Sequence, residues 1–575
     1  MPALCAAGLS AQRLGSSTFS EERALQSEDP LHLLLWIFAR FPIEFRIADF
    51  ELLIAELRKS AINNRKSSFK DDRNRNWLFT KNVEELKNAP QLQTRPRCCW
   101  TLTSVIRYTF LMQSIARRLL IVIISMGLSS ELFSAARLNV LLIMVDDLRD
   151  YGGAFSDDVV KTPNLDRLRA RGTTFERAYV QYPVCNSSRC SMMTGLRAEQ
   201  TGIVDNKTRL REKMPDVVTM PQSFKEAGWQ SHAFGKLYHL GGGRDFEKQA
   251  LWMDSGRSWH SAQAFVATET GRRMLSGRNV TDGALRWCRW GAAAGNDDDQ
   301  PDGQIAAATV AMIENLGDTP WFIGCGFMKP HDPFIAPAKY FDQYPPESIE
   351  IWKDPERMSR VRSEAVGFGG YGRAFDQFKE QEWRELFRAY CAGTSFMDAQ
   401  LGRVLDALDE NDLWKSTLVI FAGDHGYHTG ERGWWNKNTV FERSCRAPLV
   451  IAAPGMEGGQ SSRSLVEFVD FYPTVADFGG LKMPHSGAGL SLRPILKNPN
   501  AEVKDAAFTL VTRGPNLYAQ SVRTARWRLT QWSDGQTELY DHDKDPEEHQ
   551  DVSSIRPDVV KMLAEKIELI GAANL

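Results

Sequence analysis

Residues 139–147 read NVLLIMVDD, an uninterrupted apolar run that ends in two aspartates, Asp146 and Asp147. A short apolar run bounded by polar residues is typical of a strand that is buried on both faces of a sheet. Residues 417–422 (TLVIFA) repeat this pattern, and Gly-Asp-His-Gly follows them at 423–426. Both segments therefore predict central strands of a covered sheet.

Helical and strand patterns alternate between these two segments. We predict helices at 163–172, 219–227, 303–316 and 380–410, and strands at 173–180, 229–234 and 321–327. This alternation predicts an α/β fold with a large, mostly parallel sheet sandwiched by helices. Residues 242–300 show weak periodicity, so we expect them to form a long insertion near the site. From about residue 460, short segments at 507–512, 517–523, 526–532 and 537–541 and a helix at 556–570 predict a small C-terminal antiparallel-sheet subdomain.

The composition limits the class of protein. The 575 residues are 43% hydrophobic and 25% charged, which is ordinary for a globular chain. The 70 basic and 72 acidic residues give a net charge of −2, which argues against nucleic-acid binding by a broad cationic surface. The mean hydropathy of −0.35 argues against a polytopic membrane protein.

The N-terminal part of the chain has the pattern of an export signal. Arg117 and Arg118 precede an apolar run at 119–128, and small residues follow at 134–136, as in a secretory signal peptide. The run is too short to span a membrane, so we expect no membrane span in the mature chain. A buried helix, or a genuine N-terminal domain with a signal anchor, is the alternative.

We therefore predict four regions. Residues 1–111 are a mis-assigned N-terminal extension upstream of Met112, and residues 112–136 are the signal peptide. A main domain covers 137–460, and the C-terminal subdomain covers 461–575. This organisation predicts an exported protein, periplasmic or secreted.

Acidic residues follow both central strands. The carboxyl ends of parallel strands meet at one sheet edge, so we expect Asp146, Asp147 and Asp424 to lie together, with His425 beside them. Carboxylates held this closely repel one another unless a cation neutralises them, and their oxygens suit Ca²⁺ or Mg²⁺. The alternative is that the two aspartates simply cap the next segment.

The remaining candidate residues are a cysteine and several cations. Cys185 begins the segment CNSSR, directly before a predicted helix at 190–194, and a helix N-terminus lowers the pKa of a thiol. An unpaired, buried, structural cysteine is the alternative. The titratable groups placed after strand ends or in loops would together suit an anion of delocalised charge, such as sulfate or phosphate; they are Arg189, Lys236, His239, Lys329, His331 and Lys437.

The order of these residues along the chain resembles that of the type I sulfatases of the alkaline-phosphatase superfamily, most of all that of the iduronate-2-sulfatase-like enzymes. The similarity covers about residues 138–570, and the tail ELYDHDKDPEEHQDV resembles the family's C-terminal subdomain. The phrases that carry it are VDDLRDYGG, KTPNLDRLRARGTTFERAYVQYPVCNSSR, MKPHDPFIAPAKYFDQYP and GDHGYHTGERGWWNKNTVFE.

The resemblance implies a sulfate ester hydrolase that acts on a sulfated sugar or polysaccharide. A maturation enzyme would oxidise Cys185 to formylglycine, whose hydrated aldehyde attacks sulfur. Ser187 stands where the family usually has Pro or Ala, within the segment that the maturation enzyme reads.

The resemblance also implies a role for each site residue. Ca²⁺ would be held by Asp146, Asp147, Asp424, His425 and the modified Cys185. Arg189 and Lys236 would hold the formylglycine, His331 and Lys437 would contact the sulfate, and His239 would take a proton from the second hydroxyl.

Two other functions stay open at this point. A phosphodiester or phosphonate monoester hydrolase of the same superfamily would share the aspartates and even the formylglycine. A non-catalytic carbohydrate-binding protein could use the same scaffold, although every expected catalytic position is filled. A dizinc phosphatase fits less well, because its usual nucleophile is Ser or Thr and it needs more His ligands.

Overall fold

The computed structural model describes residues 138–151, 155–156, 158–240, 246–366, 375 and 378–573. The predicted N-terminal extension at 1–111 and the predicted signal peptide at 112–136 lie outside these residues. Within the described ranges, no helix combines the length and the apolar character that crossing a bilayer requires.

The strands fall into one large sheet and several small ones. In chain order they are β1 Asn139–Val145, β2 Thr173–Phe175, β3 Ala178–Tyr179, β4 Gln230–Gly235, β5 Ser261–Gln263, β6 Met274–Asn279, β7 Arg289–Ala293, β8 Trp321–Phe327, β9 Phe334–Pro337, β10 Thr417–Gly423, β11 His428–Thr429, β12 Trp435–Asn436, β13 Leu449–Ala452, β14 Gln460–Ser462, β15 Val466–Glu467, β16 Ala507–Thr512, β17 Tyr518–Arg523, β18 Trp527–Trp532 and β19 Thr537–Asp541.

The helices cover the faces of the large sheet and pack beside the C-terminal one. In chain order they are α1 Pro163–Arg171, α2 Cys185–Thr194, α3 Ala198–Thr201, α4 Leu210–Lys213, α5 Met220–Glu226, α6 Phe246–Trp252, α7 Glu269–Arg272, α8 Pro301–Leu316, α9 Ala338–Phe341, α10 Glu380–Glu410, α11 Glu442–Cys445, α12 Phe471–Gly479, α13 Arg493–Lys497 and α14 Pro557–Ala573.

The large sheet has the order β14-β2-β13-β10-β1-β8-β4-β5 among the described residues. The run from β10 to β5 is parallel throughout, and β13 is antiparallel to both of its neighbours. The predicted mostly parallel sheet is therefore confirmed. Its centre is β1, flanked by β10 and β8, so the residues that follow these three strands meet at one edge.

The two faces of β1 belong to two different hydrophobic cores. Leu141, Ile143 and Val145 pack into the core that contains residues of α1, α8 and α10, whereas Val140, Leu142 and Met144 pack into the core that contains residues of α2, α5 and α12. All seven residues of β1 are buried. This two-sided burial explains the continuous apolar run, because neither face of the strand meets water.

The C-terminal sheet is antiparallel, in the order β16-β17-β18-β19, as predicted. A buried ionic network joins it to α11. Glu548 accepts hydrogen bonds from Arg528 Nε at 2.5 Å and from His542 Nε2 at 2.9 Å, and its other oxygen accepts the backbone N–H of Glu442 at 2.8 Å. Arg528 also pairs with the Glu442 carboxylate. These ion pairs and hydrogen bonds fix the C-terminal sheet against α11.

Three local predictions differ from the structure. The helix expected at 190–194 begins five residues earlier, at Cys185. The strand expected at 173–180 is divided into β2 and β3, which pair in different sheets. The insertion expected at 242–300 contains a hairpin, β6–β7, which joins β9 in a separate three-stranded sheet.

Candidate active site

The carboxyl ends of neighbouring strands carry the site. Asp146 and Asp147 follow β1, Asp424 and His425 follow β10, and Lys236 follows β4. Backbone hydrogen bonds extend beyond the strands and fix these positions: Asp146 N donates to Phe327 O at 3.1 Å, and Asp424 N donates to Val145 O at 3.0 Å.

Lys236 is brought into the site by a close approach between two backbones. Its N–H donates to Gly326 O at 2.8 Å, and a Cβ on Gly326 would lie 2.4 Å from the Lys236 carbonyl carbon. A side chain larger than hydrogen at position 326 would therefore displace Lys236.

Cys185 is the first residue of α2, and every residue of that helix is buried. Its Sγ lies 3.1 Å from Lys437 Nζ, 3.4 Å from His425 Nε2 and 3.8 Å from Asp147 Oδ1. Burial opposes ionisation of the thiol, but the Lys236 and Lys437 ammonium groups outweigh it and hold the pKa of Cys185 well below its usual value. The thiol therefore lies in an electropositive environment, as a nucleophile or a metal ligand requires.

The loop at residues 205–208 holds the start of α2. Asn186 N, in the first turn, donates to Asn206 Oδ1 at 3.0 Å, so a side chain 20 residues away acts as the helix cap. The Asn186 side chain in turn donates to the carbonyl oxygens of Asp205 and Thr208, both at 2.8 Å. Sequence reasoning missed these residues, since nothing in the local pattern connects the two segments.

Arg189 binds two of the carboxylates rather than the thiol. Its Nε donates to Asp424 Oδ2 at 3.0 Å, and its Nη2 donates to Asp146 Oδ1 at 3.2 Å. A further N–H donates to the carbonyl oxygen of Lys236. The guanidinium is fully buried, so it neutralises charge where water does not reach.

The carboxylates have unequal environments. Burial alone would raise the pKa of Asp146, but His331 and Lys236 lower it well below the usual range. Burial instead raises the pKa of Asp424 to about 6, although His425 and Arg189 oppose the shift. The third, Asp147, pairs with Lys437 through Oδ1, whereas its buried Oδ2 accepts no hydrogen bond from the described residues. This oxygen faces His331 Nε2 at 3.8 Å, beyond hydrogen-bond distance.

The pKa values of His331 and His239 are shifted in opposite directions. Burial opposes the charged form of His331, but Asp146 and Asp147 raise its pKa to about 10, which favours the protonated ring. Burial lowers the pKa of His239, which favours the neutral ring. Both imidazoles interact with the Cys185 thiol. All ten residues that the sequence singled out as catalytic or metal-binding therefore belong to one cluster.

A cavity of about 590 Å³ lies beside this cluster. His331 and Lys437 line it, and so do the aromatic side chains of Trp287 and Trp434. Lys207, from the loop that caps α2, lines the same cavity.

The sequence matches a family model. The model described as Sulfatase covers residues 138–481, which is more than half of the chain. The chain belongs to the sulfatase family. The predicted resemblance to type I sulfatases of the alkaline-phosphatase superfamily is confirmed, and so is the class of enzyme, a sulfuric ester hydrolase. A second model, described as N-sulphoglucosamine sulphohydrolase, C-terminal, matches residues 430–571 of this sulfatase.

Curated relatives agree with this assignment. A sulfatase from Formosa agariphila is 34% identical over 439 residues, which cover 71% of this chain and 82% of the relative. Human iduronate 2-sulfatase is 30% identical over 390 residues, which cover 60% of this chain and 70% of the relative.

Two solved structures share the fold of this sulfatase. The phosphonate monoester hydrolase from Silicibacter pomeroyi has a TM-score of 0.65 at 22% identity, covering 76% of this chain and 96% of its own. A 2-O GAG sulfatase has a TM-score of 0.57 at 21% identity, covering 76% of this chain and 92% of its own.

Proposed function

We propose that this sulfatase hydrolyses a sulfate ester on a sugar or polysaccharide, using formylglycine made from Cys185 and a bound Ca²⁺. The observation that carries the proposal is the position of Cys185. It is the first residue of a buried helix, and its Sγ faces Lys437, His425 and Asp147 at 3.1–3.8 Å. When hydrated, formylglycine supplies one hydroxyl for attack on sulfur and a second whose deprotonation frees the product.

The residues present fit a calcium ion. Ligand atoms of Asp146, Asp147, Cys185 and His331 lie within 4.8 Å of one another, as do those of Cys185, Asp424 and His425. Asp147 Oδ2 supports the fit, because it accepts no hydrogen bond from the described residues and its ion pair with His331 Nε2 is long, at 3.8 Å. A buried carboxylate oxygen without a close donor is costly unless a cation binds it. Asp146, Asp147, Asp424, His425 and the modified Cys185 would hold the ion, which would orient the sulfate and favour the deprotonated nucleophile.

The other side chains would bind the sulfate and move protons. Lys437 and His331 line the cavity, where their positive charge would stabilise charge on the sulfate oxygens. A protonated His331 would also give a proton to the leaving alcohol. The neutral His239 is suited to accept a proton near residue 185. Arg189 and Lys236 would hold the formylglycine and screen the carboxylates.

The outer part of the cavity would bind the sugar. Trp287 and Trp434 offer aromatic surface of the kind on which sugar rings stack. Lys207 offers a positive charge that would pair with an acidic group on the sugar. The similarity to human iduronate 2-sulfatase supports a sulfated uronic acid or a related sugar at the end of a chain as the substrate.

Mass spectrometry of the peptide that contains Cys185 tests the nucleophile. The purified active protein is expected to carry the aldehyde, and an unmodified thiol in fully active enzyme would contradict the proposal. Cys185→Ala is expected to abolish release of sulfate from an aryl sulfate. Cys190→Ala is the matched control, because Cys190 is equally buried, packs in a hydrophobic core and makes its side-chain hydrogen bond to Asn186 Oδ1, at 3.7 Å, rather than to a residue of the cluster.

Substrate assays separate the two hydrolase classes. The enzyme is incubated with an aryl sulfate, defined sulfated oligosaccharides, a phosphodiester and a phosphonate monoester, and release of sulfate or phosphorus product is measured. We expect sulfated sugars to give the highest kcat/KM. A higher kcat/KM for the phosphodiester or the phosphonate would assign the site to the alternative hydrolase.

We also propose that residues 137–460 form the catalytic domain, that residues 461–575 form the C-terminal subdomain, and that residues 112–136 direct export. N-terminal sequencing of the native protein tests the last point. A start near Arg137 is the expected result, and detection of peptides from residues 20–90 would contradict it.

A further inference from the structure

Tyr390, within α10, contacts the turn that follows β1, at residues 146–149, but does not line the cavity. Its hydroxyl donates to the carbonyl oxygen of Asp147 at 2.6 Å and accepts the backbone N–H of Arg149 at 2.9 Å. Both partners lie in the turn that leaves β1. The Tyr390 side chain is fully buried, so these hydrogen bonds do not compete with water.

The turn needs this support because Asp147 has an unfavourable backbone conformation. Its φ is +60°, in the left-handed region, which costs a non-glycine residue about 1–2 kcal/mol. Two side chains distant in sequence hold it there. Asp424 Oδ1 accepts the Asp147 N–H at 2.9 Å, and Tyr390 satisfies the carbonyl oxygen.

This conformation determines where the Asp147 carboxylate points. With Asp147 held as it is, its Oδ1 pairs with Lys437 and its Oδ2 faces the site without a hydrogen-bond donor from the described residues. Relaxation of the turn to an ordinary backbone conformation would rotate the carboxylate away from Asp146 and Cys185.

We propose that Tyr390 is a positioning residue for the cation site: its hydroxyl holds Asp147 in the left-handed conformation and thereby sets the affinity for Ca²⁺. The inference rests on the proposed function, in which Asp147 is a ligand of that ion. It assigns Tyr390 no contact with the ion or the substrate.

A neighbouring tyrosine provides a control that distinguishes the effect of the Tyr390 hydroxyl from the effect of its ring. Tyr427 stacks on Tyr390, with ring centroids 5.6 Å apart and an interplanar angle of 20°. Tyr427 is also fully buried, but its hydroxyl makes no hydrogen bond to any described residue. Tyr390→Phe and Tyr427→Phe therefore remove the same atom from the same stack, and only the first change removes hydrogen bonds to the turn.

Calcium titration of the full-length protein is the test, with the dissociation constant measured calorimetrically for wild type, Tyr390→Phe and Tyr427→Phe. We expect Tyr390→Phe to weaken Ca²⁺ binding roughly 10- to 100-fold and Tyr427→Phe to leave it within about twofold, as for other partners that orient a metal ligand. Turnover of an aryl sulfate by Tyr390→Phe should recover at high Ca²⁺ concentration. Equal affinities for the two variants would overturn the inference, and so would a loss of turnover that Ca²⁺ does not restore.

Thermal unfolding in EGTA distinguishes positioning from a general loss of stability. We expect Tyr390→Phe to unfold at a lower temperature than Tyr427→Phe even without Ca²⁺, because it loses two buried hydrogen bonds, and in addition to show a smaller Ca²⁺-induced increase. If Tyr390→Phe lowers the melting temperature equally with and without Ca²⁺, its role is structural only and the inference is wrong. If the wild type binds no Ca²⁺, the proposed function fails instead.

Discussion

Lys437 Nζ lies 3.1 Å from Cys185 Sγ and also pairs with the Asp147 carboxylate. The two side chains are 252 residues apart, so only the tertiary structure brings them together. One ammonium group thus faces both the sulfur of the proposed nucleophile and an oxygen of a proposed metal ligand. The charge of Lys437 therefore acts on both the Cys185 sulfur and the Asp147 carboxylate.

Replacing Lys437 by Met is expected to lower kcat for an aryl sulfate by roughly 100-fold, the usual effect of removing one group that stabilises transition-state charge. Lys437→Arg keeps the charge and should retain part of the activity. Steady-state kinetics are the measurement. Lys415→Met is the control, because Lys415 pairs with Asp412 on an exposed surface. Activity of Lys437→Met within threefold of wild type would be incompatible with the proposed role.

Calcium should stabilise the folded protein through the three carboxylates. A ligand at 100 times its dissociation constant adds about 2.7 kcal/mol to the free energy of unfolding, so the melting temperature should rise with Ca²⁺ and fall with EGTA. Asp424→Asn should remove most of this Ca²⁺-dependent increase, because it removes one buried ligand charge. Asp412→Asn, at an exposed position, should keep the full increase. Differential scanning calorimetry would show whether the two variants differ.

Two adjacent serines of α2 should respond in opposite directions to replacement by Ala. The buried Ser187 hydroxyl makes no hydrogen bond to any described residue, so Ser187→Ala should leave the stability unchanged or raise it by up to about 1 kcal/mol. The Ser188 hydroxyl donates to Asp424 O at 2.5 Å, so Ser188→Ala should lower the stability by about 1 kcal/mol. Chemical denaturation measures both changes in the free energy of unfolding. A larger loss of stability for Ser187→Ala than for Ser188→Ala would contradict the hydrogen bonding described for the two hydroxyls.

Acid should weaken the network that joins the C-terminal sheet to α11. Burial would raise the pKa of Glu548, but Arg528 and His542 lower it to about 2, below the usual range of a glutamate. A carboxylate with a depressed folded-state pKa stabilises the fold above its unfolded pKa. That contribution, on the order of 2 kcal/mol, is therefore lost as the pH falls from about 5 towards 2.

Glu548→Gln tests this pH dependence. The variant should be less stable than wild type at pH 7, and the difference should shrink towards pH 2, where the wild-type carboxylate is protonated. Urea denaturation across this range is the measurement. The control is Glu314→Gln, since Glu314 is an exposed residue of α8. A stability difference that stays constant with pH would exclude the ionic explanation.

The central strands and the residues that follow them were predictable because their burial is complete. β1, β8 and β10 read as apolar runs, and the topology of a parallel sheet brings the residues after them to one edge. Asp146, Asp147 and Asp424 follow from this argument alone. The proposed nucleophile differs, because the sequence pattern around Cys185 is a weak signal by itself and only the resemblance gives this residue a specific role.

The parts that could not be predicted depend on distant contacts. The first turn of α2 contains Asn186, Ser187 and Ser188, which have low helix propensity, and its cap is the side chain of Asn206; no local signal therefore placed the helix start at Cys185. The contact of Tyr390 with Asp147 crosses 243 residues. The hairpin β6–β7 has exposed residues along most of β6, so it lacks the apolar pattern that reveals a buried strand.

The complete burial of α2 has a consequence for biosynthesis. In the folded chain, a modifying enzyme cannot take hold of the five residues from Cys185 to Arg189, because Asn206, the carboxylates and the sheet enclose them. Any enzyme that oxidises Cys185 must therefore reach it while this segment is still extended and accessible. For the proposed oxidation of Cys185, folding and maturation would compete in time, and the fraction of molecules that carry the aldehyde would depend on which of the two is faster.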